Sequence, residues 1–206
     1  MKKKFEIKPS KIIAVGLNYM DHAKELNMQI PKNPIIFLKP QTSIIKPGEN
    51  IHYPKGVKQL DYEAELAVII KDKIKNISPG DSEKHILGYT CANDVTARDI
   101  QNLDVQWTRA KSFDTFCPIG PVVTDEIDPD DVNIKLYLNG KMKQSGNTKN
   151  MIFKVFELVS FISKIMTLLP GDVILTGTPK GVGPMKKGDK VEVEIDGIGK
   201  LTNHVR

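Results

Sequence analysis

The sequence predicts a β-rich α+β fold. Three observations carry that expectation: strand-like apolar runs outnumber helical ones, the two do not alternate regularly, and a single stretch keeps a long helical stripe. Taken in order, "KIIAVGLNY" reads as a buried strand ending at Gly16, and "MDHAKELN" as barely two helical turns before Pro31 and Pro34 interrupt. "PIIFLKP" is a further strand, closed by Pro40. "DYEAELAVIIKDK" enters a solidly apolar strand over Leu66 to Ile70, and "HILGYTCANDVTARD" reads as a strand running into a polar turn or short helix. "VNIKLYLNGKMKQSG" alternates around Asn139-Gly140, a strong hairpin signal. The helix is expected in "MIFKVFELVSFISKIM", with Ile152, Phe156, Val159, Ile162, Ile165 and Met166 as its apolar stripe and Pro170-Gly171 as its stop. "DVILTGTPKGVG" and "DKVEVEIDGIGKLTNHV" return to strand and turn.

A chain of 206 residues, 40% hydrophobic and 27% charged, has the composition of a globular protein. No linker, low-complexity tract or internal repeat divides it, so one domain over residues 1–206 is expected. The basic triplet Lys2 to Lys4 is followed by "FEIKPSK" rather than an apolar targeting segment, and no apolar run reaches membrane-spanning length. A cytoplasmic protein with no membrane partner is the expectation. The net charge of +5 comes from scattered lysines, aromatics make up 6%, and no nucleic-acid motif is present. These features argue against a nucleic-acid partner, while a positive field suits small anionic substrates. Cys91 and Cys117 lie far apart without a C-x-x-C pattern and read as reduced, packed thiols.

Glu63 and Glu65 sit two apart at the mouth of the apolar run, which on a strand places them on one face. Like charges at the edge of a core repel and resist desolvation, so they call for compensation. A divalent cation would supply it. Two carboxylates on one face, joined by Asp94 at the end of "GYTCAND", offer hard oxygen ligands and leave positions open to water or substrate. The alternative is that Glu63 and Glu65 face solvent and need no partner; spacing alone does not choose.

"DYEAELAVII", "GYTCANDVTARDIQ", "AKSFDTFCPIGP" and "ILTGTPKGVG" follow in that order, and together they resemble the fumarylacetoacetate hydrolase family. The similarity covers roughly residues 12–200 and is strongest to short single-domain members, which act as acylpyruvases and as oxaloacetate decarboxylases or tautomerases. The resemblance implies a mixed β-roll, a homodimer, and a Mg²⁺ or Mn²⁺ ion (Ca²⁺ is also compatible) on Glu63, Glu65 and Asp94.

Outside the acids, "DHAKE" places His22 and Glu25 three apart, so on a helical turn the carboxylate can orient the ring and raise its basicity. An exposed His-Glu pair on a short helix is the plainer reading; the resemblance implies a catalytic dyad on a segment, residues 18–33, that closes over ligand. Arg98 and Gln101 could share a helical face beyond the metal and hold a substrate carboxylate and carbonyl, a role the resemblance also implies. The plainer reading is a local Arg98 pair with Asp94 or Asp99. Lys111 is one lysine among many by spacing. The resemblance implies that it stabilises oxyanion or enolate charge, although the stretch from Asp94 to Lys111 is shorter than is usual in the family. "TGTPKGVG" lacks the ending of a phosphate loop and reads as a tight turn; the resemblance implies that Thr178 holds a substrate carboxylate. His52, His85 and His204 have no comparable partner in the sequence and read as structural or exposed.

The activity expected is metal-dependent cleavage of a carbon-carbon bond in small 2-oxo or 2,4-dioxo acids. Oxaloacetate tautomerisation and 2-hydroxyhepta-2,4-diene-1,7-dioate isomerisation are the enzymatic alternatives, and a non-catalytic metal-stabilised binding module is the alternative from another class.

Overall fold

The computed structural model describes residues 7–25 and 27–206; the Lys2 to Lys4 triplet and Leu26, within the expected closing segment, lie outside them. The first half of the chain forms β1 (Ile12–Gly16), α1 (Met20–Glu25), β2 (Ile35–Lys39), β3 (Ile44–Ile45), β4 (Asn50–Ile51), β5 (Leu60–Tyr62) and β6 (Ala64–Ile70). Then come β7 (Ile86–Asn93), β8 (Thr96–Ala97), α2 (Arg98–Leu103), α3 (Thr108–Lys111) and β9 (Cys117–Thr124). The last third forms β10 (Asn133–Leu138), β11 (Lys141–Asn147), α4 (Val155–Ile165), β12 (Val173–Leu175), β13 (Gly183–Met185), β14 (Lys190–Ile195) and β15 (Gly199–Val205). Strand dominates, as the sequence predicts.

Among the described residues a seven-stranded mixed sheet runs β2-β1-β12-β6-β7-β9-β3, with β1 parallel to β12 and β3 parallel to β9. A five-stranded sheet, β11-β10-β14-β15-β4, packs over β6, β7 and β9, and a small sheet, β13-β5-β8, completes the fold. All seven residues of β6 are buried, which explains its unbroken apolar run: both faces are covered. Side-chain alternation sorts it into two layers. Leu66, Val68 and Ile70 join one apolar cluster with Ile13 and Val15, while Ala67 and Ile69 join another with Ile12 and Ala14. Each fully buried Leu or Ile contributes about 1.5–3 kcal/mol, so this central strand anchors whatever its ends carry.

Helix α4 differs from its expectation. It starts at Val155 rather than near Met151, with Glu157 Oε2 accepting from the Lys154 N–H at 2.8 Å, so Ile152 precedes it. Its buried stripe is Val155, Leu158, Val159 and Ile162, with Ser160 and Ser163 beside them, whereas Ile165 is half exposed. The serines are buried because their hydroxyls are satisfied: Ser160 Oγ donates to the distant Ile77 carbonyl at 2.8 Å and Ser163 Oγ to the Ser160 carbonyl at 2.8 Å. The apolar count therefore misplaced the face by part of a turn.

At the parallel β1–β12 pair, Asp172 accepts from the Ser10 N–H, the Ser10 hydroxyl, the Lys11 N–H and the Leu169 N–H, and pairs with the Lys11 ammonium. Burial opposes the charge, but the Lys11 ammonium and these donors overcome it and hold the Asp172 acid below the usual carboxylate range. This knot aligns the two strands whose far ends lead into α1 and into the Thr176 to Gly183 turn.

The candidate active site

Glu63 falls at the break between β5 and β6, and Glu65 lies on β6. The break is held on both sides: Asn93 Oδ1 accepts from the Glu63 N–H at 2.9 Å, and the Glu63 carbonyl accepts from the Asp94 N–H at 2.9 Å. Asp94 follows β7, the neighbour of β6, so pairing of two adjacent strands brings the third acid beside the first two. Ligand oxygens of Glu63, Glu65 and Asp94 lie within 4.8 Å of one another. Glu63 is 6% exposed and the other two 1%, which overturns the solvent-facing reading of Glu63 and Glu65.

Compensating cations surround the cluster. Lys111 Nζ, at the end of α3, donates to Glu63 Oε2 at 2.9 Å and to Asp94 Oδ2 at 2.6 Å. Lys39, the last residue of β2, sends its buried ammonium to Asp94 Oδ1. Arg98 pairs with Asp61 Oδ2 through Nε at 2.8 Å and with Glu63 Oε1 through its other arm. The expected local pairs with Asp94 or Asp99 are not what Arg98 makes; Asp99 instead accepts from the Lys58 and Gln59 N–H groups. Desolvation pushes against ionisation of Glu63, yet Lys111 and Arg98 outweigh it and hold the acid down to about 2.

Glu65 is in the opposite position. Among the described residues no ammonium or guanidinium lies within ion-pair distance of it, and Oε2 accepts the Gly177 N–H at 2.6 Å. Burial first, then the nearby Asp94 and Glu63 carboxylates, push its acid well above the usual range. With all four ionised, the acids Asp61, Glu63, Glu65 and Asp94 would outnumber the three cations Lys39, Arg98 and Lys111 by one, and Glu65 is the acid that the cations leave uncompensated. A converging set of hard oxygens suits a divalent ion: Glu63 Oε1 takes two donors, Arg98 and Thr96, but Glu63 Oε2, Glu65 Oε2 and both Asp94 oxygens each accept from one donor and keep a second lone pair.

The cluster forms one wall of a cavity of about 490 Å³, which His22, Glu25, Arg98, Gln101, Lys111 and Thr178 also line. Every site residue expected from the sequence is therefore in one place. His22 Nδ1 lies 3.0 Å from Glu25 Oε2. Glu25 also accepts the Gly181 N–H, at 3.2 Å to each oxygen, which ties α1 to the turn after β12. Gln101 Oε1 accepts from Arg98, leaving the Gln101 amide free to donate. "TGTPKGVG" is a tight turn, as predicted: Gly177 has φ +93°, and a side chain there would collide with Asn18 Cβ at 2.8 Å. Apolar residues, among them Leu17, Met28, Phe37, Trp107 and Val182, line other parts of the cavity.

Lys39, Asp61, Gln144 and Asn18 were not anticipated. Lys39 carried a signal, a lone cation closing an apolar strand, which only burial could separate from a surface lysine. Asn18 accepts the Phe153 N–H at 2.8 Å and donates to the Phe153 and Thr176 carbonyls, a cross-chain role that no local pattern reveals. His85 makes a partly buried pair, its Nδ1 2.6 Å from Asp72 Oδ1, a partner that the local sequence did not show, while His52 and His204 are exposed. Cys91 and Cys117 are buried free thiols, each pushed up to about 12 by burial.

The family model described as fumarylacetoacetate (FAA) hydrolase C-terminal matches residues 11–206. The chain belongs to the fumarylacetoacetate hydrolase family. It is 61% identical over 201 residues to an uncharacterized protein of Methanocaldococcus jannaschii, covering 98% of this chain and 85% of that one. It is 45% identical over 210 residues to a mitochondrial oxaloacetate tautomerase of Homo sapiens, covering 96% of this chain and 67% of the relative. Among solved structures, a 5-carboxymethyl-2-hydroxymuconate delta-isomerase from Mycobacterium smegmatis superimposes with a TM-score of 0.91 at 48% identity, over 97% of this chain and 79% of that one. The family's β-rich mixed fold is thus the fold of this chain, and the relatives named for an activity are enzymes of small organic acids. No helix among the described residues is long and apolar enough to cross a membrane.

Proposed function

We propose that this fumarylacetoacetate hydrolase family member is a divalent-metal-dependent enzyme that moves protons on, and opens the carbon skeleton of, small 2-oxo acids, with keto-enol interconversion of an oxaloacetate-like acid as its first reaction. The observation that carries the reading is the convergence of three buried carboxylates, of which Glu65 has no cation at ion-pair distance among the described residues, on a cavity that also holds a His-Glu pair. Glu63, Glu65 and Asp94 would hold Mg²⁺ or Mn²⁺, with Ca²⁺ also compatible, and the ion would supply positive charge to the 2-oxo acid end of the substrate.

The chain's own groups do the rest. Thr178 and Arg98 hold the substrate carboxylate, and Gln101 donates to a carbonyl oxygen. His22, oriented by Glu25, takes the C3 proton, and Lys111 balances charge developing on oxygen as the enolate forms. Returning the proton to the oxygen completes a tautomerisation. The relatives named oxaloacetate tautomerase, 45–46% identical over 96% of this chain, support this choice.

The His22–Glu25 contact favours a second reading, hydrolytic carbon-carbon cleavage of an acylpyruvate. His22 would take a proton from water, the hydroxide would attack the 4-oxo carbon, and the C3–C4 bond would break to leave pyruvate enolate and a carboxylic acid. Loss of CO₂ from oxaloacetate would use the same enolate stabilisation without a base. A single domain working in the cytoplasm as a homodimer completes the proposal.

The test is a proton NMR time course with oxaloacetate and, separately, acetylpyruvate, each with Mg²⁺ and with EDTA. Metal-dependent acceleration of keto-enol exchange supports the first reading. Pyruvate formed faster than in the protein-free Mg²⁺ control supports the second, and no effect on either compound overturns both in favour of an isomerase of longer dioates or a binding module.

A further inference from the structure

Gln144 lies on β11, far from the catalytic motifs in sequence, yet it is 1% exposed and reaches the site. The register between β10 and β11 shifts here: Leu136 faces Gln144 while Tyr137 faces Met142, so Lys143 is left over as a bulge, a feature that re-aims side chains. The Thr176 to Gly183 turn presses against this bulge. A Cβ at Gly181 would meet the Lys143 carbonyl at 2.5 Å, and one at Gly146 would meet Pro179 Cβ at 2.5 Å. Two glycines thus allow the turn to come close enough for the Gln144 amide to touch it.

The orientation of that amide is fixed by the backbone. Its oxygen accepts the Ala64 N–H at 2.9 Å, between Glu63 and Glu65, and its nitrogen donates to the Pro179 carbonyl at 2.8 Å. An N–H can only donate and a carbonyl can only accept, so the amide has one consistent placement. Its second N–H donates to Thr178 Oγ1 at 2.9 Å. With an incoming donor on its oxygen, the Thr178 hydroxyl keeps its own proton for another partner, and Thr178 lines the cavity.

We infer that Gln144 is a positioning residue that fixes Thr178 as a hydrogen-bond donor into the cavity, so that this wall selects an acceptor oxygen, such as a substrate carboxylate, over a donor group. The inference rests on the proposed 2-oxo acid chemistry and deepens it. It gives the turn a defined hydrogen-bond polarity and makes β11 part of substrate recognition. Without the amide the Thr178 hydroxyl is free to rotate and to present a lone pair to the substrate.

The test is a double-mutant cycle of Gln144→Met and Thr178→Val, with KM and kcat measured for oxaloacetate and acetylpyruvate in the presence of Mg²⁺, and with oxalate affinity measured by calorimetry on the same proteins. Thr178→Val is expected to raise KM and weaken oxalate about tenfold or more. Gln144→Met should raise KM when Thr178 is intact, with kcat changed much less, and should have no further effect in the Thr178→Val background. Thr178→Ser, which keeps both the acceptor and the donor, should preserve the dependence of KM on Gln144. The same cycle with Gln144→Glu, whose carboxylate draws the Thr178 proton away from the cavity, serves if the methionine variant does not fold, and its effect should again shrink in the Thr178→Val background. An equal KM effect on both backgrounds, or none on either, overturns the inference while leaving the proposed function standing. A parent protein that neither turns over these acids nor binds oxalate with Mg²⁺ overturns the proposed function, and the substrate-facing role of Gln144 falls with it.

Discussion

Lys111 donates to Asp94 at 2.6 Å across a separation of 17 residues. The lysine is delivered by α3, and the Phe37 ring, whose centre is 5.2 Å from the ammonium, flanks it. Desolvation disfavours the ammonium, but Asp94 and Glu63 outweigh it and raise its pKa above the ordinary lysine value. Replacing Lys111 by methionine should therefore cut turnover by on the order of 10²–10³. It should also cost about 3–5 kcal/mol of stability without metal, since two buried carboxylates lose a shared cation. Mg²⁺ should restore more thermal stability to this variant than to the parent, which calorimetric scans with and without the ion would check; an equal shift would contradict the shared-cation role.

Removing one proposed ligand should act on every reaction at once. Glu65→Gln keeps the shape and the acceptor for Gly177 but removes a charge, and Mn²⁺ affinity by titration calorimetry should fall on the order of 100-fold with all activities. Retention of tight Mn²⁺ binding would place the ion elsewhere.

His22→Ala separates the reactions. Metal binding should persist, and hydrolysis of acetylpyruvate and tautomerisation of oxaloacetate should each fall by about 10²–10³, as both need a base. Decarboxylation of oxaloacetate should fall least. Equal losses in all three, measured on one preparation, would deny His22 the proton-transfer role.

Asp172 provides a pH-dependent stability. Its folded acid is held below the unfolded value of about 3.9, so its contribution is present above that pH and is lost as pH falls through the lower folded value. Asp172→Asn should lower the melting temperature at pH 7, where the carboxylate is charged in both states, and the deficit should shrink toward pH 3. A deficit independent of pH would mean that packing, not charge, sets the effect.

Gly16 and Trp107 form a steric pair on the cavity wall: a Cβ on Gly16 would lie 2.5 Å from Trp107 Cζ3. Gly16→Ala should cost about 1–3 kcal/mol in denaturant unfolding. In a Trp107→Ala background the same change should cost much less, because the obstacle is gone.

The sequence was most readable where pattern and burial coincide. β6 announced itself because both its faces are covered, and the Asn139-Gly140 hairpin because its turn chemistry is local; Asn139 has φ +52° and Gly140 +77°. The three acids were legible because like charges at a core edge demand a cause. Their partners were less so. Lys39 and Asp61 are ordinary charged residues until sheet pairing buries them, and Arg98 chose acids on β5 and just past it over its chain neighbours because β5–β8 pairing brings them across. Gln144 had no local mark at all, since its importance depends on a bulge and on two distant glycines.

Glu25 holds the imidazole of His22 with one oxygen and the Gly181 N–H with both. The same carboxylate is therefore both guide and tether. The setting of the imidazole depends on a backbone N–H that lies 156 residues along the chain from Glu25, so the short helix takes its orientation from the turn after β12 and not from its own sequence alone.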